Sequence, residues 1–243
     1  MSRRRVHLPP ERFEAGRAAL TPEARHYLAD VLRLPAGAEV EVFDGHGAAF
    51  EARIDPAYEA LVLGPRREAA GAGAAIALLF ALAKGEKTDL VVQKATELGA
   101  ERIAPFAAER SVVRLHADRG DDRARRWRRI AEEAARQCGR ADVPEVAAPV
   151  PLAAALAALP PGTAVLAVHP GGAPLAALAP GAAGGWAAVV GPEGGLTDGE
   201  LRACEEAGAR RVSLGPRVLR AETAAIVAVT LLQARFGDLA GVP

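Results

Sequence analysis

Two kinds of hydrophobic patterning divide the chain. In the first 70 residues, apolar and polar positions alternate. Ala38–Phe43 and Ala48–Ile54 read as strands around the turn-forming Asp44-Gly45-His46-Gly47, and Tyr58–Leu63 reads as a further strand. His26–Arg33, after Thr21-Pro22-Glu23, has the spacing of a short amphipathic helix. Ala69-Ala70-Gly71-Ala72-Gly73-Ala74 is a small-residue linker, and the boundary is placed there, giving domains over 1–70 and 74–243.

Beyond the linker the pattern changes to strand, helix, strand. Ile76–Ala83 is a continuous apolar run, as in a strand buried on both faces. Asp89–Leu98 has helical spacing and is followed by Gly99, a C-terminal cap. Ile103–Phe106 reads as a strand, and Asp121–Cys138 as a long helix with an arginine face and Ile130, Ala134 and Ala135 inside. Pro151–Leu159 reads as a short helix, and Ala164–Val168 and Ala187–Val190 as strands. Thr197-Asp198-Gly199-Glu200 is a capping box that opens a helix ending near Gly208. Arg211–Leu214 is the last strand. Thr223–Phe236 is a helix apolar on nearly every side, which places it in the core or in a subunit interface. Alternating strands and helices imply an α/β fold with a mainly parallel sheet.

Composition adds little to this division. Half of the 243 residues are hydrophobic and the formal net charge is zero. Cys138 and Cys204 are the only cysteines, and no His/Cys/Asp set has metal-ligand spacing, so neither a disulfide framework nor a metal site is expected. The basic start is followed by His7 and two prolines, which is no signal peptide, and a cytoplasmic protein is the expectation. The uncharged stretch from Val146 to Pro192 is broken by prolines into pieces too short to span a membrane. Positive charge is almost all arginine, concentrated in Arg3, Arg4 and Arg5 and in the run Arg119, Arg123, Arg125, Arg126, Arg128, Arg129. A GC-rich genome and a phosphate-binding surface both account for that bias, since guanidinium forks suit phosphate.

The candidate chemistry lies in two glycine-bearing loops that each follow an apolar strand. One is Gly191-Pro192-Glu193-Gly194-Gly195; the other is Leu214–Ala224, which carries Arg220 and Glu222. Backbone can approach a ligand closely at glycine, and the carboxyl ends of strands in an open α/β sheet are where ligands sit. Glu193 either orders its turn, favours the positive end of the next helix, or takes part in chemistry. His169, with Val168 at the end of a strand, either lines that pocket or is structural. Gln137 and Arg140 either cap the long helix or face substrate, and Lys94, Glu97 and Glu101 read equally as a solvated helix face. No Gly-x-Gly-x-x-Gly turn and no Gly-Lys-Ser/Thr loop is present, which disfavours a dinucleotide-dependent oxidoreductase and excludes a P-loop.

Taken as a set, these segments resemble a known family. Gln93-Lys94-Ala95-Thr96-Glu97-Leu98-Gly99 is similar to one of its signatures, and Trp127 with Glu132–Arg140 and Pro144 to a second. Gly191–Gly195 and Leu214–Ala224 are similar to a third and fourth, and His26, Val31-Leu32-Arg33 and Gly37 to its N-terminal domain. The family is the small-subunit (16S) ribosomal RNA uracil-N3 methyltransferases of the SPOUT superfamily. Leu196 stands where an aromatic residue is usual, and Ala221 where threonine is.

The resemblance implies a small N-terminal PUA-like β-barrel and a C-terminal SPOUT α/β domain with a deep trefoil knot. It implies S-adenosylmethionine as methyl donor, 16S ribosomal RNA within the small ribosomal subunit as substrate, and a homodimer, with no metal and no membrane. The cofactor would be held by Val168, His169, Gly191, Pro192, Glu193, Gly194, Gly195, Leu214, Gly215, Val218, Leu219, Thr223 and Ala224. Arg220 would stabilise charge on the uracil oxygens, and Glu222 would accept the N3 proton or orient Arg220. Arg3, Arg4, Arg5, His26, Arg33, Lys94, Gln137 and Arg140 are the expected RNA contacts. A SPOUT enzyme acting on another RNA, and a non-catalytic RNA-binding factor with the same fold, are the alternatives.

Overall fold

The computed structural model describes residues 4–67, 73–111, 117–178 and 184–241. These fall into two compact units, one of residues 1–70 with 132–143, the other of 71–131 with 144–243.

The first unit is built on a six-stranded sheet. Its strands are β1 Arg5–His7, β2 Phe13–Glu14, β3 Arg17–Ala19, β4 Glu39–Phe43, β5 Ala49–Ile54 and β6 Ala60–Arg67, in the order β1-β4-β5-β6-β3-β2. The expected hairpin is present: β4 and β5 are antiparallel from Glu39 opposite Arg53 to Phe43 opposite Ala49. Asp44 Oδ1 accepts from the backbone N–H groups of His46 and Ala48, and Gly45 takes φ +78, so the turn closes on its own residues. Val6, Leu8, Leu28, Val42, Ile54 and Leu61 form the buried core beneath.

The helix expected over His26–Arg33 differs in detail. An α-helix, α1, covers Pro22–His26, capped by Thr21 Oγ1. It then widens to a π-turn over Tyr27–Val31, in which Leu32 N–H reaches back to the Tyr27 carbonyl. Arg33 is in the left-handed region at φ 51, so the helix cannot continue into Leu34-Pro35.

Arg5 requires a correction. Expected to contact RNA, it is 8% exposed, and its Nε donates to Glu41 Oε1 at 2.6 Å. Its Nη1 and Nη2 donate to the carbonyls of Ala135 and Arg140 at 3.0 and 2.9 Å. Those carbonyls lie at or beyond the end of a helix, where intrahelical partners run out, and a guanidinium there satisfies both the hydrogen bonds and the dipole. Arg5 therefore serves as a cap there. Burial pushes the Glu41 carboxyl up, but the bonds and charges of Arg5 and Arg67 outweigh it and hold the group below its ordinary range.

The second unit carries a parallel sheet. Its main strands are β7 Ala75–Ala81, β8 Arg102–Ala107, β11 Thr163–Pro174, β12 Gly185–Val190 and β13 Arg210–Ser213; two short ones, β9 Glu145–Val146 and β10 Val150–Pro151, flank β8. The order β10-β8-β7-β12-β11-β13 puts β12 at the centre, with all six of its residues buried. Its apolar run has no alternation because both faces are covered.

Five helices beyond α1 pack around the sheet or lead from it, the first four being α2 Lys87–Glu97, α3 Ala117–Cys138, α4 Leu152–Ala157 and α5 Asp198–Glu206. The last, α6 Ala221–Phe236, buries Ala224, Ala225, Ala228, Val229, Leu232 and Gln233, while Ile226, Val227, Thr230 and Leu231 are only partly covered. Phe236 stacks on Trp186 of β12 with ring centroids 4.0 Å apart. Gly99, at φ +86, ends α2 as expected, and the buried Gln233 donates to its carbonyl at 2.7 Å. Among the described residues no helix is long and apolar enough to cross a membrane, and no group of acidic, His and Cys side chains could hold a metal.

Candidate functional site

The carboxyl ends of β11, β12 and β13 open onto one cavity of about 330 Å³, within the size range of small-molecule sites. Each edge is shaped by a local feature of the sequence. In β11, Val168 and Ala173 both face Val212 of β13, so His169–Gly172 leave the ladder as a loop. A Cβ on Gly172 would lie 2.4 Å from Val212 N, so only glycine lets the strand rejoin its neighbour there. His169 and Pro170 line the cavity from that loop.

After β12, the chain turns at Gly191 and folds back on itself. A Cβ on Gly191 would lie 2.9 Å from Leu196 N, and Gly195 N–H closes the turn onto the Pro192 carbonyl at 2.8 Å. The turn is then anchored by α5, whose capping box is present. Glu200 N–H donates to Thr197 Oγ1 at 3.2 Å, and Thr197 N–H donates to Glu200 Oε2 at 2.8 Å. After β13, Leu214–Leu219 form the opposite wall. Val218 is 86% exposed, an apolar side chain at the rim with nothing over it.

The cavity brings together most of the residues singled out from sequence. Val168, His169, Gly191, Pro192, Glu193, Gly194 and Gly195 line it from one side, and Leu214, Gly215, Val218, Leu219 and Ala224 from the other. Thr223 is exposed and lies outside the lining. Ala221 and Ala224 are three apart and share the helix face turned to the cavity, whereas Glu222 and Thr223 project elsewhere. Arg220 and Glu222 likewise flank the lining without joining it.

Lys87 and Arg110 were missed. Lys87 Nζ donates to Glu193 Oε1 at 2.7 Å and stands 3.5 Å from Glu222 Oε2. The Lys87 hydrogen bond is the main reason the Glu193 carboxyl is held below its ordinary range. Glu193 is thus half of an ion pair with the start of α2. Arg110 lines the cavity and its Nη1 donates to the Gly194 carbonyl at 2.9 Å. Its neighbours are tied down as well: Glu109 N–H donates to Glu200 Oε1 at 2.9 Å, and Ser111 Oγ donates to the Leu82 carbonyl at 2.6 Å. The signal for Arg110 was available, because it follows a strand of the parallel sheet just as His169 does.

The expected RNA contacts are scattered. Arg4 and Arg33 are exposed. His26 is exposed and pairs with Asp30 at 2.8 Å. Lys94 pairs with Glu97 at 2.7 Å. Gln137 is exposed, and the mostly buried Arg140 pairs with Asp142. On α3, Arg125 pairs with Asp122 and Arg126 with Asp89, both exposed on the arginine side. Pairs of that kind contribute about 1 kcal/mol or less, so these arginines remain available to phosphate as the buried Arg5 does not. Arg3 and the Arg119 side chain lie outside the described residues.

Comparison with known proteins adds the following. Residues 72–233 match the model of an RNA methyltransferase domain, and residues 20–56 that of an RNA methyltransferase PUA domain. A protein of Synechocystis named ribosomal RNA small subunit methyltransferase E is 33% identical over 95% of this chain and 77% of its own length. One of the same name from Bacillus subtilis is 29% identical over 90% of each chain. Among solved structures, ribosomal RNA small subunit methyltransferase E from Neisseria gonorrhoeae, bound to S-adenosylmethionine, superposes with a TM-score of 0.87 at 29% identity, covering 97% of this chain and 99% of that one. A methyltransferase from Legionella pneumophila in complex with the same cofactor gives 0.83 at 33% identity, over 96% and 98% of the two chains.

Proposed function

The chain belongs to the RNA methyltransferase family represented by ribosomal RNA small subunit methyltransferase E, and on that premise we propose that it methylates N3 of a uridine in small-subunit ribosomal RNA. The observation that carries the reading is the cavity in which the two glycine-bearing loops meet. Its walls fit S-adenosylmethionine. Leu196, Leu214 and Leu219 offer apolar surface for an adenine, and the loops offer backbone amides and carbonyls. Arg110, Arg217 and His169 are the side chains on the lining that can meet a carboxylate. Loops that hold the donor supply alignment, the largest part of what such a transfer needs from protein.

When bound, S-adenosylmethionine supplies a methyl group on its sulfonium and leaves as the neutral thioether, so that uridine N3–H becomes N3–CH3 and one proton must be taken up. Uridine N3 carries that proton at neutral pH, so a base or a stabiliser of the uracil oxygens is required. Arg220, the residue before α6, is assigned to the oxygens, and Glu222, in its first turn, to the proton or to orienting Arg220. N3 lies on the pairing edge, so the base must be unpaired or flipped out before reaction.

The same reading places the domain boundary at the linker, with the PUA-like part and exposed arginines such as Arg4 and Arg33 on the RNA backbone. It includes a trefoil knot in the C-terminal domain and a homodimer in the cytoplasm. The partly covered stripe of Ile226, Val227, Thr230 and Leu231 on α6 supports a subunit interface. The test is mass mapping of small-subunit RNA, free and in assembled subunits, before and after incubation with enzyme and donor. A new N3-methyluridine supports the reading; methylation at another base or in another RNA replaces it.

A further inference from the structure

One cation bridges the two loops. Lys87, in the first turn of α2, donates to Glu193 of the Gly191–Gly195 loop at 2.7 Å and approaches Glu222 of α6 at 3.5 Å. Among the described residues no other cation pairs with either carboxylate. The two ends of this bridge differ in environment. The Glu193 side chain is half exposed, and an ion pair there gains little. The Glu222 side chain is only 13% exposed, and its Oε2 accepts no hydrogen bond among the described residues. A carboxylate removed from water with one lone-pair set unmet depends heavily on the nearest charge. For Glu222 that charge is Lys87, aided by its place in the first turn of α6.

We propose that Lys87 is a positioning residue for methyl transfer, holding the Glu222 carboxylate in place for the reaction while latching the Gly191–Gly195 loop through Glu193. The proposal rests on the assignment of Glu222 given above. It separates two effects that a general structural role would merge. The bond to Glu193 acts on the cofactor loop, and so on cofactor affinity. The approach to Glu222 acts on the acceptor side, and so on the rate with cofactor saturating.

The experiment is single-turnover methyl transfer to small-subunit RNA at saturating S-adenosylmethionine, with cofactor affinity measured separately by calorimetry. Full-length wild type, K87M, K87R, E193Q, E222Q and the double variant K87M/E222Q are compared, with melting curves for each. K87M is expected to slow the saturated rate by about tenfold or more, a part of the roughly hundredfold or greater contribution of a positioned proton acceptor. K87R keeps the cation and is expected to restore most of that rate. E193Q is expected to weaken cofactor binding, a result available even if K87M fails to fold. Because Lys87 acts through Glu222, K87M is expected to add nothing in the E222Q background. A slow E222Q with a normal K87M, additive losses in the double variant, or undiminished cofactor binding in E193Q would each overturn the role of Lys87. An E222Q enzyme at the wild-type rate would instead overturn the assignment of Glu222.

Discussion

Glu200 is the side chain through which the segment after the Gly191–Gly195 loop is fastened, and its removal has a magnitude that the structure sets. It is 7% exposed, and each carboxylate oxygen accepts a backbone N–H: Oε2 that of Thr197 at 2.8 Å, Oε1 that of Glu109 at 2.9 Å. Hydrogen bonds to a charged group contribute about 1.5–3 kcal/mol each, so the pair amounts to about 3–6 kcal/mol. Relief of burying a carboxylate returns part of this, leaving a net loss of about 2–4 kcal/mol for Glu200→Ala. Thr197→Ala removes only the other half of the capping box and should cost about 1 kcal/mol. The assay is urea unfolding followed by circular dichroism, with amide exchange at Glu109 as the local readout. The expected order is Glu200→Ala well below Thr197→Ala, with faster exchange at Glu109 only in the first. Equal losses in the two variants, or a Glu200→Ala loss under about 0.5 kcal/mol, within the range of ordinary surface substitutions, would refute the argument.

Other outcomes follow from single observations. Gly191→Ala places a methyl 2.9 Å from Leu196 N, so the turn must shift; calorimetry should show at least about tenfold weaker S-adenosylmethionine binding with the fold retained. Cys204 is fully buried and its thiol is pushed up to about 11, by burial first and then by Glu200 and Glu205, whereas Cys138 is exposed. A thiol reagent at pH 8 should therefore modify Cys138 rapidly and Cys204 only on unfolding. The Glu41 carboxyl ionises more readily folded than unfolded, where 4.5 is its ordinary value. Its contribution is complete above pH 4.5 and is lost as pH falls through the lower folded value. Urea midpoints at pH 7 and pH 3.5 should thus differ less for Glu41→Gln than for wild type.

What could be read from the sequence was what depends on local pattern. The run Ile76–Ala83 announced a strand buried on both faces, Ala187–Val190 announced another strand, and Thr197 with Glu200 announced the start of α5 to the residue. The meeting of two loops far apart in sequence was legible because a parallel sheet sends its carboxyl ends to one edge. What could not be read depends on contacts between distant residues. Arg5 looked like part of a basic arm, and only its pairing with Glu41 and the carbonyls near Arg140 shows that it is internal. Lys87 resembled any solvated lysine until Glu193 and Glu222 were found on either side of it. The strands over Arg5–His7 and Phe13–Ala19 were too short for a period of two to register, and β11 ran past Val168 because Gly172 lets it return beside Val212.

The account depends most on the cavity between the two loops being the place where the methyl donor is held. Calorimetric titration of S-adenosylmethionine into the wild-type protein and into variants bulked at that cavity, Gly191→Ala on one loop and Ala224→Leu on the other, tests this directly. Saturable one-site binding by the wild type, weakened at least about tenfold by each substitution, is the predicted result. Failure of the wild type to bind, or undiminished binding by both variants with their folds intact, would contradict it.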